Sequence, residues 1–296
     1  MRRVVLGAML GLIGSVVAMA PIAAATQPRA EQVSAVPAFL IGCGAAVPKP
    51  GGGSWVCTFA DEFNGTSLDR TKWLPQTNFA TGMPSASSRS CHVDHPANIA
   101  VRQGNLHLTV RRVSRPVVCK GARADYTSGQ VSTYHLFSQQ YGRFEARMKV
   151  HFTFGFKPGL QESFWLWPDD RVASGVPWPA AGEIDIAELY SQYNYYAVPF
   201  LHYTANNNGG PKPRLNTAYC PAARGEFNTY TLIWTPSSMT ILVNGKTCLV
   251  NRSGDPAFRK PYIATLTAAL GVGRNALRWN TPIPATMSVD YLRVWR

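Results

Sequence analysis

Acidic residues are scarce in this chain of 296 residues: 16 Asp and Glu stand against 29 Lys and Arg, and charged residues of all kinds make up only 15%. With 46% hydrophobic residues, that composition excludes a disordered polyelectrolyte. Long apolar runs are equally few. Val4–Met19 falls short of the ~20 residues a membrane-spanning helix needs, and nothing later reaches that length, so no transmembrane segment is expected. The six cysteines include no C-x-x-C pair, which argues against a zinc or redox motif. The net charge of +13 comes from dispersed Lys and Arg, without the clusters of five to eight that mark a nucleic-acid patch, so no nucleic-acid partner is expected. An acidic polymer or envelope is the partner such a surface would favour; a solvated basic surface with no specific partner is the simpler reading. No internal repeat and no second domain are evident. The scattered 25 Gly and 22 Pro leave little room for long helices and point to short strands and turns.

What is present begins with an export pattern. Arg2 and Arg3 precede the apolar stretch, and Ala23, Ala24 and Ala25 offer small residues at a cleavage site before Thr26. Residues 1–25 therefore read as a signal peptide, and the protein as secreted. Cys43, Cys57, Cys91, Cys119, Cys220 and Cys248 suit the oxidising compartment that export implies. Six cysteines permit 15 pairings, and sequence alone does not choose among them; pairing of neighbours in sequence (Cys43–Cys57, Cys91–Cys119, Cys220–Cys248) is the expectation. Residues 26–54, rich in Ala, Pro and Gly, read as a linker or irregular extension, and 55–296 as one domain. Within it Phe144, Ala146, Met148 and Val150 alternate with Arg143, Glu145, Arg147 and Lys149, the period of a half-buried strand. Asn105–Val110, Tyr230–Trp234, Met239–Val243 and Ser288–Arg296 read as further strands, and Asn244-Gly245 as a two-residue hairpin turn. The expected fold is an all-β sandwich. Most of the 8 Trp, 12 Tyr and 13 Phe are expected in its core, with a ring-stacking surface for sugars as the alternative.

The densest chemistry lies in Glu183-Ile184-Asp185-Ile186-Ala187-Glu188, three acids within six residues. On a strand Glu183 and Asp185 share a face while Ile184 and Ile186 turn to the core. Glu188, three beyond Asp185, would face the core of a regular strand, where an unpaired carboxylate is costly. A β-bulge near Ile186-Ala187 would return it to the face of the other two. The Cα atoms of the two glutamates would then lie ~13 Å apart, and their side chains would lean inward over the shorter Asp185. Retaining glycosidases need two carboxyl groups ~5–5.5 Å apart. Three acids this close must have coupled, spread pKa values. An acidic strand face paired with Lys or Arg, or a calcium site, is the alternative on these residues alone.

The run Glu183–Glu188, with Trp178, Pro179 and Gly182 before it, resembles the signature of glycoside hydrolase family 16 in its bulged, laminarinase-like form. Phe59–Gly65, Leu68-Asp69 and Trp73, Asn98–Thr109, Tyr141–Lys149, Phe164–Leu166, Tyr230–Pro236 and Val289–Val294 match the family in order. The resemblance implies a concanavalin-like jelly roll of two curved antiparallel sheets with a cleft on the concave face. By position Glu183 would be the nucleophile, Asp185 the assisting acid and Glu188 the general acid/base of a retaining endo-hydrolase of β-1,3- or mixed-linkage glucan. No catalytic cofactor is implied. Trp178 would stack on the sugar before the cut, Trp165 would shape the same subsite, and His202, Asn98 and Trp279 would line the cleft. A structural calcium is implied near Asp290. The polysaccharide is the expected partner of a monomeric chain. A transglycosylase, a hydrolase of galactan or an envelope polysaccharide, and a lectin-like binding module on the same jelly roll are the alternatives. Two features depart from the pattern: Glu162-Ser163 stands where a Pro-Ala pair is usual, and Asp169–Pro177 and Ser191–Val198 match no family loop.

Overall fold

Strands with a two-residue apolar period, separated by turns rich in Gly and Asn, account for nearly all the structure. The computed structural model describes residues 42–173, 175–203 and 210–296, all within one unit. The expected signal peptide, and residues 26–41 of the expected extension, lie outside the described residues. In chain order the strands are β1 (Cys57–Asp61), β2 (Leu74–Pro75), β3 (Ala80–Gly82), β4 (Arg89–His92), β5 (Ile99–Arg102), β6 (Asn105–Cys119), β7 (Ala122–Ser132), β8 (Gly142–Lys149) and β9 (Leu160–Pro168). They continue as β10 (Glu183–Tyr190), β11 (Tyr196–His202), β12 (Cys220–Pro221), β13 (Asn228–Trp234), β14 (Met239–Val243), β15 (Lys246–Asn251), β16 (Tyr262–Leu270) and β17 (Ala285–Trp295). One α-helical turn, α1 (Asp170–Ala173), and three 3-10 turns (Ala86–Ser88, Pro256–Phe258 and Gly273–Asn275) lie between them among the described residues.

One sheet runs β5-β6-β17-β8-β13-β14-β15, with β1 beside the second half of β17. The other runs β7-β16-β9-β10-β11-β12, with β2 and β4 on the remaining edge of β7 and β3 beyond β4. The long β6–β7 ladder ties the two together. The result is the all-β sandwich that the pattern predicts, in the jelly-roll form that the resemblance implies, antiparallel except where β4 runs parallel to β7.

The core forms where alternate residues of the two sheets meet. Phe144, Ala146 and Met148 of β8 and Tyr230 and Leu232 of β13 face Leu160, Phe164 and Leu166 of β9 and Ile184 and Leu189 of β10, all fully buried. Asn244 (φ 50°) and Gly245 (φ 75°) both take the left-handed conformation of a primed hairpin turn, joining Val243 to Lys246 as expected. All three expected disulfides form. Cys43 is buried against β1 and β17, and Pro48 bridges Ser54, so the first disulfide holds the described part of the extension to β1.

The departure at Glu162 has a structural cause. Its position on β9 turns it into the core, where Arg224 donates to both carboxylate oxygens at 2.9 and 3.0 Å. Arg224 also donates to the carbonyls of His151 and Leu189, so the pair is fully hydrogen-bonded and fastens the loop after β12 beneath β10.

Candidate active site

The bulge is where the spacing of the acids requires it. Against β9, Asp185 pairs with Trp165 but Ala187 with Phe164; against β11, Asp185 pairs with Phe200 and Glu188 with Val198. Two residues of β10 thus stand against one on each neighbour. Ile184, Ile186 and Ala187 are fully buried, while Glu183, Asp185, Glu188 and Tyr190 share the opposite face. Gly182 delivers the strand: it sits at φ 88°, and a Cβ there would fall 2.0 Å from the Tyr262 hydroxyl.

The acids line a cavity of about 340 Å³ together with Gln161, Ser163, Trp165, Thr267 and His92. The indole N–H of Trp178 donates to Glu183 Oε2 at 2.7 Å. His202, opposite Glu183 on β11, places Nε2 3.3 Å from Asp185 Oδ2 and 4.0 Å from Glu183 Oε2; its ring stacks on Phe200 and abuts Trp178 at 5.0 Å. Glu188 accepts hydrogen bonds from Gln161 Nε2 (2.6 Å) and the Tyr190 hydroxyl (2.5 Å). Trp165 is held by its N–H to Thr267 Oγ1 (2.9 Å). Ligand atoms of Glu183, Asp185 and His202 lie within 4.8 Å of one another, and Trp178 donates its N–H to Glu183 within that group.

Burial dominates the electrostatics. It raises Glu183 to about 8, helped by the Asp185 charge and opposed by His202 and the Trp178 N–H. Asp185 is raised well above the usual carboxylate range by burial and by Glu188. Glu188 is also raised by burial, against the donors Tyr190 and Gln161 and against His202. The cluster therefore holds protons at pH values where free carboxylates have lost them, and its members ionise in turn.

A second cavity, of about 550 Å³, adjoins the first and shares Ala80, Thr81, His92, Gln130 and Trp165 with it; Phe79, Tyr134 and Trp167 are its further aromatic walls. The paired cavities make a groove longer than the acid cluster itself.

Trp178, Trp165 and His202 thus gather around the acids as expected, whereas Asn98 and Trp279 do not. Asn98 is buried, with its amide donating to the Thr109 carbonyl and accepting from Thr127, so it joins strands and is absent from both cavities. Trp279 is 95% exposed on the loop before β17 and lines neither cavity. Asp290 pairs with Arg147 at 2.7 Å and belongs to no group of three or more His, Cys, Asp or Glu ligands among the described residues. Tyr190 and Gln161 were missed. Tyr190 was accessible in principle, since it lies two beyond Glu188 on the same face; Gln161 reaches Glu188 only through the β9–β10 register.

The profile of the family described as glycosyl hydrolases family 16 matches residues 88–291. Glucan endo-1,3-beta-glucosidase A1 of Niallia circulans is 28% identical over 263 residues, an alignment covering 80% of this chain and 37% of that protein. Keratan-sulfate endo-1,4-beta-galactosidase of Sphingobacterium multivorum is 28% identical over 253 residues, covering 80% and 54%. The chain therefore spans about half or less of these relatives. Among solved structures, SCLam, described as a non-specific endo-beta-1,3(4)-glucanase, superposes with a TM-score of 0.70 at 26% identity, covering 85% of this chain and 94% of that one.

Proposed function

The chain belongs to glycosyl hydrolases family 16, and on that premise we propose that it is a secreted endo-acting glycosidase that cleaves β-1,3- or mixed-linkage glucan with retention of configuration. The observation that carries this reading is the β10 bulge, which brings Glu183, Asp185 and Glu188 to one face of one cavity. In the first step a Glu183 carboxylate oxygen bonds to the anomeric carbon as the glycosidic C–O bond breaks, and Glu188 gives its proton to the departing oxygen. In the second, Glu188 takes a proton from water, the water oxygen bonds to the same carbon, and the ester to Glu183 breaks. Asp185, between the two and 3.3 Å from His202, tunes the charge on Glu183. The adjoining aromatic cavity gives room for further sugar rings along the groove, as an endo-acting enzyme needs.

The test is release of reducing ends from laminarin, mixed-linkage glucan, galactan and agarose by wild type, Glu183→Ala and Glu188→Ala. Cutting of a glucan by wild type and loss of at least ~10³-fold in each variant is expected. Cutting of galactan alone would move the substrate towards that of the Sphingobacterium relative. Binding of a polymer by all three proteins without cutting would leave a lectin-like module.

A further inference from the structure

The face that carries the acids continues past Glu188 as a field of tyrosines. Register fixes the geometry. Glu188 stands opposite Val198, so two residues on, Tyr190 and Tyr196 point to the same side as the acids. Beyond β11, Ala197 pairs with Cys220 and Phe200 bridges Thr217, which sets Tyr219 beside Val198 on that face. Tyr193, from the turn between β10 and β11, closes the group. Its ring centroid lies 6.5 Å from that of Tyr190, 6.4 Å from Tyr196 and 5.6 Å from Tyr219; Tyr196 and Tyr219 are 5.9 Å apart, and every pair is edge-to-face. Edge-to-face packing sets the edge of one ring against the face of the next and fixes the rings as one group. Tyr196 is 42% exposed and Tyr219 59%, a patch of large apolar rings that a soluble surface gains nothing by presenting.

The direction of the patch identifies its occupant. Glu183 must reach the anomeric carbon, whereas Glu188 must reach the oxygen of the departing chain. The surface beyond Glu188, on the side away from Glu183, is where that chain leaves. The aromatic cavity of Phe79, Trp165 and Trp167 contains neither Glu188 nor any of these tyrosines. Tyr190 joins the patch to the chemistry, because its hydroxyl donates to Glu188.

We propose that Tyr193, Tyr196 and Tyr219 form a stacking platform for pyranose rings on the leaving-group side of the substrate, connected through Tyr190 to the proton donor. The platform rests on the reading of Glu188 as acid/base. It makes the enzyme favour substrates that extend at least two sugars past the cut, since the register sets Tyr219 two strands, about 10 Å, from Glu188 across β11.

The test uses the double variant Tyr196→Ala/Tyr219→Ala, which leaves Tyr190 and all the acids in place. The substrates are a β-1,3-linked gluco-hexasaccharide and an aryl β-glycoside of the corresponding trisaccharide, whose leaving group is a lone phenol. The platform predicts a fall of about tenfold or more in kcat/KM for the hexasaccharide, from loss of two stacking contacts, with the aryl substrate unchanged. It also predicts that cleavage of the hexasaccharide shifts towards products with a shorter leaving portion. Equal loss on both substrates would mean a structural role, and no loss on either would mean that the tyrosines touch no sugar; each overturns the proposal. If wild type cuts neither substrate, the glucanase reading itself fails and the platform falls with it, an outcome distinct from the other two.

Discussion

In the proposed mechanism Glu183 must lose a proton to attack and Glu188 must keep one to donate, yet burial raises both. What separates them is their neighbours. Glu183 has the Asp185 charge beside it, which opposes ionisation, whereas Glu188 has the donors Tyr190 and Gln161; His202 favours the charged form of both. Because attack needs ionised Glu183, the acidic limb of kcat/KM follows that ionisation in the free enzyme, with activity rising with pH towards about 8. Removing a negative neighbour eases ionisation, so Asp185→Asn should move the limb to lower pH, by ~0.5–1 unit. Removing His202 withdraws a neighbour that favours the charged form, so His202→Ala should move it to higher pH by a similar ~0.5–1 unit. Both variants lose rate; the opposite displacements are the diagnostic, measured as kcat/KM between pH 4 and 9. Displacement in the same direction would refute this electrostatic account. The same scale shows where sequence reasoning stops. Asn98 and Asp290 are polar residues at positions that suggest cleft and calcium roles, but Thr109, Thr127 and Arg147 had already engaged them. Those partners lie 11 to 143 residues away, beyond the reach of local spacing.

At the scale of the element, β10 was legible because its spacing breaks a rule. Acids two and then three apart cannot share the face of a regular strand, and an unpaired buried carboxylate is too costly to be the alternative. That conflict located the bulge from sequence. The tyrosines of the β10–β11 turn carried no comparable conflict, and only the register with β11 and β12 assigns them to the face of the acids. The bulge makes a sharp prediction. Deleting Ala187 restores strict alternation with Glu183, Asp185 and the former Glu188 still on one face, so the variant should fold and keep measurable activity. Inserting one Ala after Ala187 also restores alternation and keeps the former Glu188 on the face of the acids, but carries it two further steps of ~3.3 Å each along the strand than the deletion does. That variant should fold yet lose activity entirely, because retaining chemistry needs the two carboxyl groups ~5–5.5 Å apart. Thermal unfolding and reducing-end release on the two variants check this; equal activity in both would mean that the spacing along β10 does not set the separation of the glutamates.

Over the whole molecule, the disulfides fasten the margins of the sandwich rather than its centre. Cys43–Cys57 holds the N-terminal segment to β1, and Cys91–Cys119 joins β4 to the end of β6. Cys220–Cys248 crosses from β12, at the edge of the sheet that carries the acids, to β15, at the edge of the other. The last two close loops of the same sequence separation, 28 residues. If their contribution comes from restricting the unfolded chain, their removal should cost the same, about 3 kcal/mol each, or a fall in Tm of about 6–12 °C for a domain of this size. Their effects on function should differ. Cys220 precedes no acid but follows Tyr219 directly, so Cys220→Ala/Cys248→Ala should loosen the tyrosine edge and lower kcat/KM on the hexasaccharide while sparing the aryl substrate. Cys91→Ala/Cys119→Ala should leave the ratio of the two substrates unchanged, because β4 lies at the opposite side of the groove. Thermal scans and the two assays on both variants separate the effects. Unequal falls in Tm would place part of the stabilisation in native packing at one edge, and an unchanged substrate ratio in the Cys220 variant would show that the tyrosine edge does not depend on the β12–β15 link.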